Sequence, residues 1–389
     1  MQRALKSLIA ALFLATLASC TEVPEPLTPA GITREAASVR GYVVTSPNDE
    51  QANRCATSVL DDFSTRIEYD PRYVEAYRSG ASRAGVWAPT VGTGLVHHQG
   101  IQRLNRHGKS YFVVSDSTED DVQAGLEIVE MRSRGSTTEA LGRNVTPLWY
   151  PPRVDHIVAY LGDPNTYRNH AGGIQALGRF VITPFENVSG LVTAGFRIAD
   201  LENPAAPSWT STTLRTKGNL TGAGSAAMTR LSDGRFLALV FGRNASDVEV
   251  FVSSRPEMPG IAESFGAWLS VALSETPSTF NAYQNTQIIT ACDGSLYLLG
   301  TYKSSLTCKD WADLFRVSFS PTFEPTFRLL ASRTFACLSE STGGLRYCDF
   351  QAGAGAYVSG SGRLAIYGIE YYNYGVPTTS DVVKVREFF

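Results

Sequence analysis

HHQGIQRLNRHGKSYFVVSDS (residues 97–117) and HAGGIQALGRFVITPFE (residues 170–186) are two versions of one phrase. Each opens His-x-x-Gly-Ile-Gln-x-Leu, turns at a glycine, and runs on into a strongly apolar stretch. Three further segments keep the same outline with a different opening: GAGSAAMTRLSDGRFLALVFGR (222–243), NTQIITACDGSLYLLGTYK (285–303) and GAGAYVSGSGRLAIYGIEY (353–371). Their turns, Ser232-Asp233-Gly234, Cys292-Asp293-Gly294 and Gly360-Ser361-Gly362, lie between apolar runs, which is a hairpin signal. A third strand follows each hairpin: AGLEIVEM (124–131), AGFRIADL (194–201), DVEVFVSS (247–254), ADLFRVSF (312–319) and DVVKVREF (381–388). All five alternate apolar and polar residues, the period of a half-buried strand. Weaker fourth strands can be drawn at SWTSTTLR (208–215) and TFRLLAS (326–332).

Units of three to four antiparallel strands, recurring every 50–75 residues or so, resemble those of the β-propeller superfamily. The expected fold is therefore all-β, a five-bladed β-propeller over residues 91–389. Six blades are possible if residues 36–90 contribute one. The chain lacks the Trp-Asp signature of WD40 propellers. Within 36–90, GYVVTS (41–46) reads as a strand that could complete the last blade and close the ring. QANRCATSVLDDFSTRIEY (51–69) places Val59, Leu60, Phe63 and Ile67 at helical spacing, ahead of the breaking pair Asp70-Pro71, and reads as a helical excursion packed on the propeller.

The N-terminus is of another kind. MQRALKSLIAALFLATLASC has two early cations, Arg3 and Lys6, then an apolar run, Leu8–Leu17, too short to span a bilayer. Leu17-Ala18-Ser19-Cys20 resembles the lipobox of bacterial lipoproteins. That resemblance implies a signal peptide over 1–19 and a lipid (palmitate-type) anchor on Cys20. Thr21 in place of Asp implies an outer-membrane destination, facing periplasm or surface. Residues 20–35 read as a proline-rich tether, with Pro24, Pro26 and Pro29 and no apolar periodicity. Export brings an oxidising compartment, so the five remaining cysteines are free to pair. Nearness in sequence suggests Cys337–Cys348 and Cys292–Cys308, with Cys55 left over. A net charge of −3 gives no basic surface for nucleic acid.

The repeat also predicts a site. In a propeller the innermost strand starts, and the second strand ends, on one face. Strand starts supply His97, His98 and Gln99, then His170, Gly224 and Ser225, Gln284 and Asn285, and Gln351. Second-strand ends supply Asp116, Glu186, Arg243, Lys303 and Glu370. The chain has only five histidines, and His97 and His170 fall at equivalent positions; His156 lies in the connection leading to His170. Imidazoles beside carboxylates suit general acid–base chemistry, or a transition metal with His97 and His170 as candidate ligands. Arg243 and Lys303 suit a phosphate or carboxylate. By simple alternation Gln102 and Gln175 point opposite to the histidines, as structural amides, and Gly100 and Gly173 permit close strand approach. The leading expectation is a small polar or sugar-like ligand bound in a funnel by His97, His98, His170, Glu186, Arg243, Gln284, Lys303 and Glu370. One alternative is hydrolysis of phosphoesters or glycosides through His97, His170, Asp116 and Glu186. Five-bladed glycosidases place three carboxylates round the channel, and Asp116, Glu186 and Glu370 could imitate them. The other alternative is a protein-assembly scaffold. No nucleophile elbow, Walker loop, dinucleotide fingerprint or His-Glu-x-x-His occurs, and no cofactor or protein partner is identified.

Overall fold

A computed structural model describes residues 39–41, 54–69, 73–78, 96–118, 124–131, 156–163, 170–186, 193–258, 267–303, 310–335, 350, 353–369, 372–373 and 382–389. Its strands form five antiparallel sheets, the five blades of a β-propeller. Blade 1 runs Val96–Arg106, Lys109–Thr118, Ala124–Glu130 and His156–Gly162; Tyr372–Asn373 adds to the start of its first strand. Blade 2 has a first strand in two pieces, His170–Ala171 and Gln175–Leu177, followed by Phe180–Glu186, Gly195–Asp200 and Ser208–Leu214. Blade 3 is Ser225–Arg230, Phe236–Phe241, Asp247–Ser253 and Trp268–Glu275. Blade 4 is Asn285–Thr290, Leu296–Lys303, Asp310–Phe319 and Pro325–Phe335. Blade 5 is Ala354–Val358, Leu364–Ile369 and Val382–Phe388, completed by Tyr73–Arg78 from the other end of the chain.

The alternation that marks each strand explains the packing. A blade has two faces, and each faces a neighbouring blade, so both sides are apolar near the axis. Five buried clusters result, one per interface. The largest joins Leu239 and Phe241 of blade 3 to Ile288, Leu298 and Phe315 of blade 4. The others join blade 2 to blade 3, blade 1 to blade 2, blade 5 to blade 1, and blade 4 to blade 5. The hairpin turns are as the sequence dictates. Gly234 and Gly294 hold φ of +89° and +80°, a conformation open to glycine and costly for other residues.

The ring closes differently from expectation. Tyr73–Arg78, not residues 41–46, pairs with Val382–Phe388. Gly41 makes only an isolated bridge to Leu231, and residues 42–46 lie outside the described residues. The helical excursion is present as a single α turn, Val59–Asp61, continued by a π turn, Asp62–Arg66. Val59, Phe63 and Ile67 are buried in the cluster between blades 4 and 5, while Leu60 points outward. The cysteine pairing is also corrected. Cys55 is not left over but bonds Cys292, closing a separation of 237 residues. The parallel bridge of Ala56 to Ala291 sets their backbones side by side, a proximity that spacing along the chain cannot reveal. Cys20, Cys308, Cys337 and Cys348 lie outside the described residues. Among the described residues no helix is long and apolar enough to cross a membrane.

Candidate functional site

The first strands of blades 3, 4 and 5 pair with their second strands in unbroken register. Those of blades 1 and 2 do not. In blade 1 the register shifts between His98 and Gly100, leaving Gln99 as a bulge. In blade 2 the strand is interrupted between Ala171 and Gln175. A bulge re-aims the side chains beyond it, and here each interruption comes within two residues of His97 or His170, near the start of the strand. His97 opposes Ser117 while Gln102 opposes Val113, so the bulge puts both on one face of blade 1. The expectation that Gln102 and Gln175 point away from the histidines fails for this reason: the extra residue cancels the alternation.

That face looks toward blade 2. Ser117 Oγ accepts from Ala171 N at 3.0 Å, and Ser115 Oγ donates to Gly172 O at 2.8 Å. Across the gap the rings of His97 and His170 meet, with centroids 5.3 Å apart. His97 is buried and His170 is half-exposed. His98 opposes Asp116 on the other face, and both are fully buried. Tyr160 Oη lies 3.5 Å from Asp116 Oδ1 there. The adjacent histidines of blade 1 thus serve opposite sides of the sheet. His156 belongs elsewhere: it opens the fourth strand of blade 1 opposite Glu130, at the outer rim.

Glu186 stands opposite His170 at the end of the second strand of blade 2. Its Oε2 accepts from Ala223 N at 3.1 Å, and its Oε1 lies 3.2 Å from Arg243 Nη2. The buried carboxylate therefore both ties blade 2 to blade 3 and holds a guanidinium whose side chain is 50% exposed. Arg243 opens a tight turn, Arg243–Ala245, in which Asn244 and Ala245 have φ of +57° and +53°. Left-handed backbone costs a residue such as alanine about 1 kcal/mol, and such strain gathers at ligand sites. Asn244 Oδ1 accepts from Gln284 Nε2 at 2.9 Å, linking blades 3 and 4 at the same rim. Lys303 ends the second strand of blade 4, half-buried, opposite Asp310. Gln351 and Glu370 lie outside the described residues.

The expected funnel has a floor. Asn285 is fully buried, and with its amide turned to donate it reaches Gln99 O at 2.8 Å and Ala354 O at 3.0 Å, spanning blades 4, 1 and 5. A methyl group on Gly100 would meet Ile174 N at 2.8 Å, and one on Gly173 would meet Gln284 O at 2.4 Å. Close approach at these glycines is what lets the inner strands converge. Below the floor the axis is stitched by amides. Gln175 Oε1 accepts from Met228 N and Ile288 N at 3.0 and 2.9 Å, and its Nε2 donates to Ile288 O at 2.8 Å. Gln102 Oε1 accepts from Ala176 N at 3.3 Å. These glutamines are structural, as the sequence suggested. Ser225 and Thr286 pair their hydroxyls at 2.9 Å in the same layer.

This end of blades 1 to 4, the dish face, bears His97, His170, Glu186 with Arg243, Asn244 with Gln284, and Lys303. Among the described residues no three His, Cys, Asp or Glu side chains converge so as to hold a metal ion. Asn244 is the rim residue that sequence reasoning passed over; its only signal was the left-handed tolerance of asparagine beside a strand end.

No protein-family model matches the chain, and no curated protein matches it. Solved structures of similar shape include several glycoside hydrolases. An alpha-L-arabinofuranosidase from Podospora anserina, solved with cellotriose, shares 10% identity at a TM-score of 0.43, covering 83% of this chain and 99% of that one. A family-43 endo-arabinanase from Bacillus licheniformis shares 12% at a TM-score of 0.41, covering 75% and 94%. An exo-beta-1,3-galactanase from Phanerochaete chrysosporium shares 11% at a TM-score of 0.39, covering 80% and 64%. At such identities the likeness is one of architecture, and the strand order establishes the propeller without it.

Proposed function

We propose that this chain is an exported propeller, held to a membrane through acylated Cys20, that binds a small polar or sugar-like molecule in the dish of blades 1 to 4. The observation that carries the reading is the coincidence of two irregularities with two histidines. The blades whose first strands break register are the blades that bring His97 and His170 ring to ring. Around that pair stand donors and acceptors suited to hydroxyl and carboxylate groups: Arg243 held by Glu186, Gln284 held by Asn244, and Lys303.

Hydrolysis is the second reading, favoured by the register of His170 opposite Glu186, an imidazole and a carboxylate within reach of one bound molecule. A glycosidase needs two carboxylates flanking the bond. Asp116 lies on the far face of blade 1, fully buried, and is not placed to be the partner of Glu186.

The test is binding of the tether-truncated chain (residues 22–389) to a panel of neutral and acidic oligosaccharides, with product analysis on every binder. A His97→Ala/His170→Ala double variant losing at least about tenfold in affinity, with no product from the parent protein, supports the binding module. Product formation lost in Glu186→Gln with binding retained replaces it by the hydrolase. Affinity unchanged in the double variant, with no product from the parent protein, overturns both.

A further inference from the structure

The described residues of the segment ahead of the propeller, 39–41 and 54–69, are fastened to one face. Gly41 N donates to Gly294 O at 2.9 Å and Ser232 N to Arg40 O at 3.0 Å, so Arg40 and Gly41 lie across the inner hairpin turns of blades 3 and 4. The chain reappears at Cys55, bonded to Cys292 in the same turn of blade 4. Ala56 N donates to Thr290 O, and Thr57 N to Gly362 O in the inner turn of blade 5, each at 2.9 Å. Asp62 Oδ2 then accepts from Leu364 N at 3.0 Å. Arg333 Nη1 donates at 2.6 Å to both Phe63 O and Ile67 O. All three turns join first strands to second strands. His97, His170 and Glu186 stand at the opposite ends of those strands. The strap therefore crosses blades 3, 4 and 5 on the face away from the dish, and the chain enters that face at its inner turns, near the axis.

We propose that the strap face is turned toward the lipid bilayer and the dish away from it. This rests on the anchoring of Cys20 proposed above. Residues 21–38 separate that cysteine from the first described residue. Eighteen residues reach about 60 Å fully taut, and a proline-rich chain approaches that limit at about 3.1 Å per residue. To bring the dish to the bilayer, the tether has to run from the axis to the rim and then up the height of a blade. For a domain of this size the radius is about 25 Å, and a seven-residue strand is about 23 Å tall. That path of about 50 Å nearly exhausts the taut length. With the strap face down only a small part of that length is needed. The bilayer is the partner of this face, and a soluble ligand meets the face that carries His97, His170 and Glu186.

The test places one antibody epitope on either face of the same blade of the full-length chain. One insertion lies between Pro256 and Glu257, an exposed turn on the strap side of blade 3. The other lies between Ser278 and Thr279, an exposed loop on the dish side. Exposed turns of this kind tolerate insertion. The mass of the N-terminal peptide is read first; an unacylated Cys20 overturns the anchoring and this orientation together. With acylated protein in phosphatidylethanolamine–phosphatidylglycerol vesicles, Fab association at the Pro256 epitope is expected to slow at least tenfold relative to protein released from the vesicles. Association at the Ser278 epitope is expected to stay within twofold, and a forty-residue Gly/Ser extension of the tether to abolish the difference. Equal slowing at both epitopes, or slowing at Ser278 alone, overturns the orientation while leaving the anchor intact.

Discussion

Blades 1 and 2 differ from blades 3 and 4 in a way that separates scaffold from site. In blades 3 and 4 the first strands pair residue for residue, Ser225 with Phe241 through to Thr290 with Leu296, and their shared interface holds the largest apolar cluster. In blades 1 and 2 a bulge and a gap break that pairing, and the polar residues they re-aim converge on the axis. One repeat was built three times in unbroken register and twice with an exception. Interrupted ladders forgo backbone hydrogen bonds, so an exception that recurs at equivalent positions of adjacent blades marks the place where geometry matters more than regularity.

The comparison breaks most visibly in blade 3. Arg215 and Glu249 are both fully buried and paired at 3.4 Å, and Glu249 also accepts from Thr216 N and from the hydroxyls of Thr216 and Ser270. Glu249→Ala leaves the buried guanidinium with Asp247 at 3.1 Å and Gly222 O at 2.7 Å, and strips Thr216 N and two hydroxyls of their acceptor. Denaturant unfolding should show a loss of about 3 kcal/mol.

A smaller effect distinguishes two glycines beside the axis. A methyl group at Gly173 lands 2.4 Å from the backbone oxygen of Gln284, whereas at Gly224 its nearest neighbour is 3.4 Å away. Gly173→Ala should cost about 1–3 kcal/mol by overpacking, and Gly224→Ala should leave the thermal midpoint within a degree or two. Equal effects would mean that the floor of the dish is not set by strand approach.

A gentler probe is alkaline pH. Burial, aided by Asp313, holds the phenols of Tyr283 and Tyr302 well above the ordinary tyrosine range, and burial with Glu387 does the same for Tyr367. Tyr283 Oη donates to Asp313 at 2.5 Å and Tyr367 Oη to Glu387 at 2.8 Å. Their folded values lie above the unfolded value near 10. The stability they contribute is therefore complete below about pH 10 and drains as the pH rises beyond it. Unfolding followed between pH 8 and 11 should show this decline, and it should shrink in Tyr367→Phe.

Smallest of all is the expected stability effect at the dish. His170→Ala removes a half-exposed ring with no place in any of the five apolar clusters, and should shift stability by no more than about 0.5 kcal/mol. Paired with a tenfold or greater loss of affinity, that result sharpens the division between blades 1–2 and 3–4. A large destabilisation with unchanged binding would assign the histidine to packing.

Much of this was legible before any coordinates. The five hairpins, the five third strands and the helical residues Val59, Phe63 and Ile67 follow from apolar period and turn chemistry, which are local properties. The equivalence of His97 and His170 was legible too, because one phrase was written twice. What tertiary structure alone decided is whatever depends on non-local pairing. The closing strand is Tyr73–Arg78 because blade 5 needs a fourth strand at its outer edge, and nothing within YVEAYR announces a partner more than 300 residues away. Cys55 joins Cys292 because a strap across the face sets Ala56 beside Ala291. His97 shares a face with Gln102 because Gln99 bulges, and a single extra residue in a period of two reverses everything beyond it. Sequence by itself determined the blades; the register within and between them determined which side chains meet.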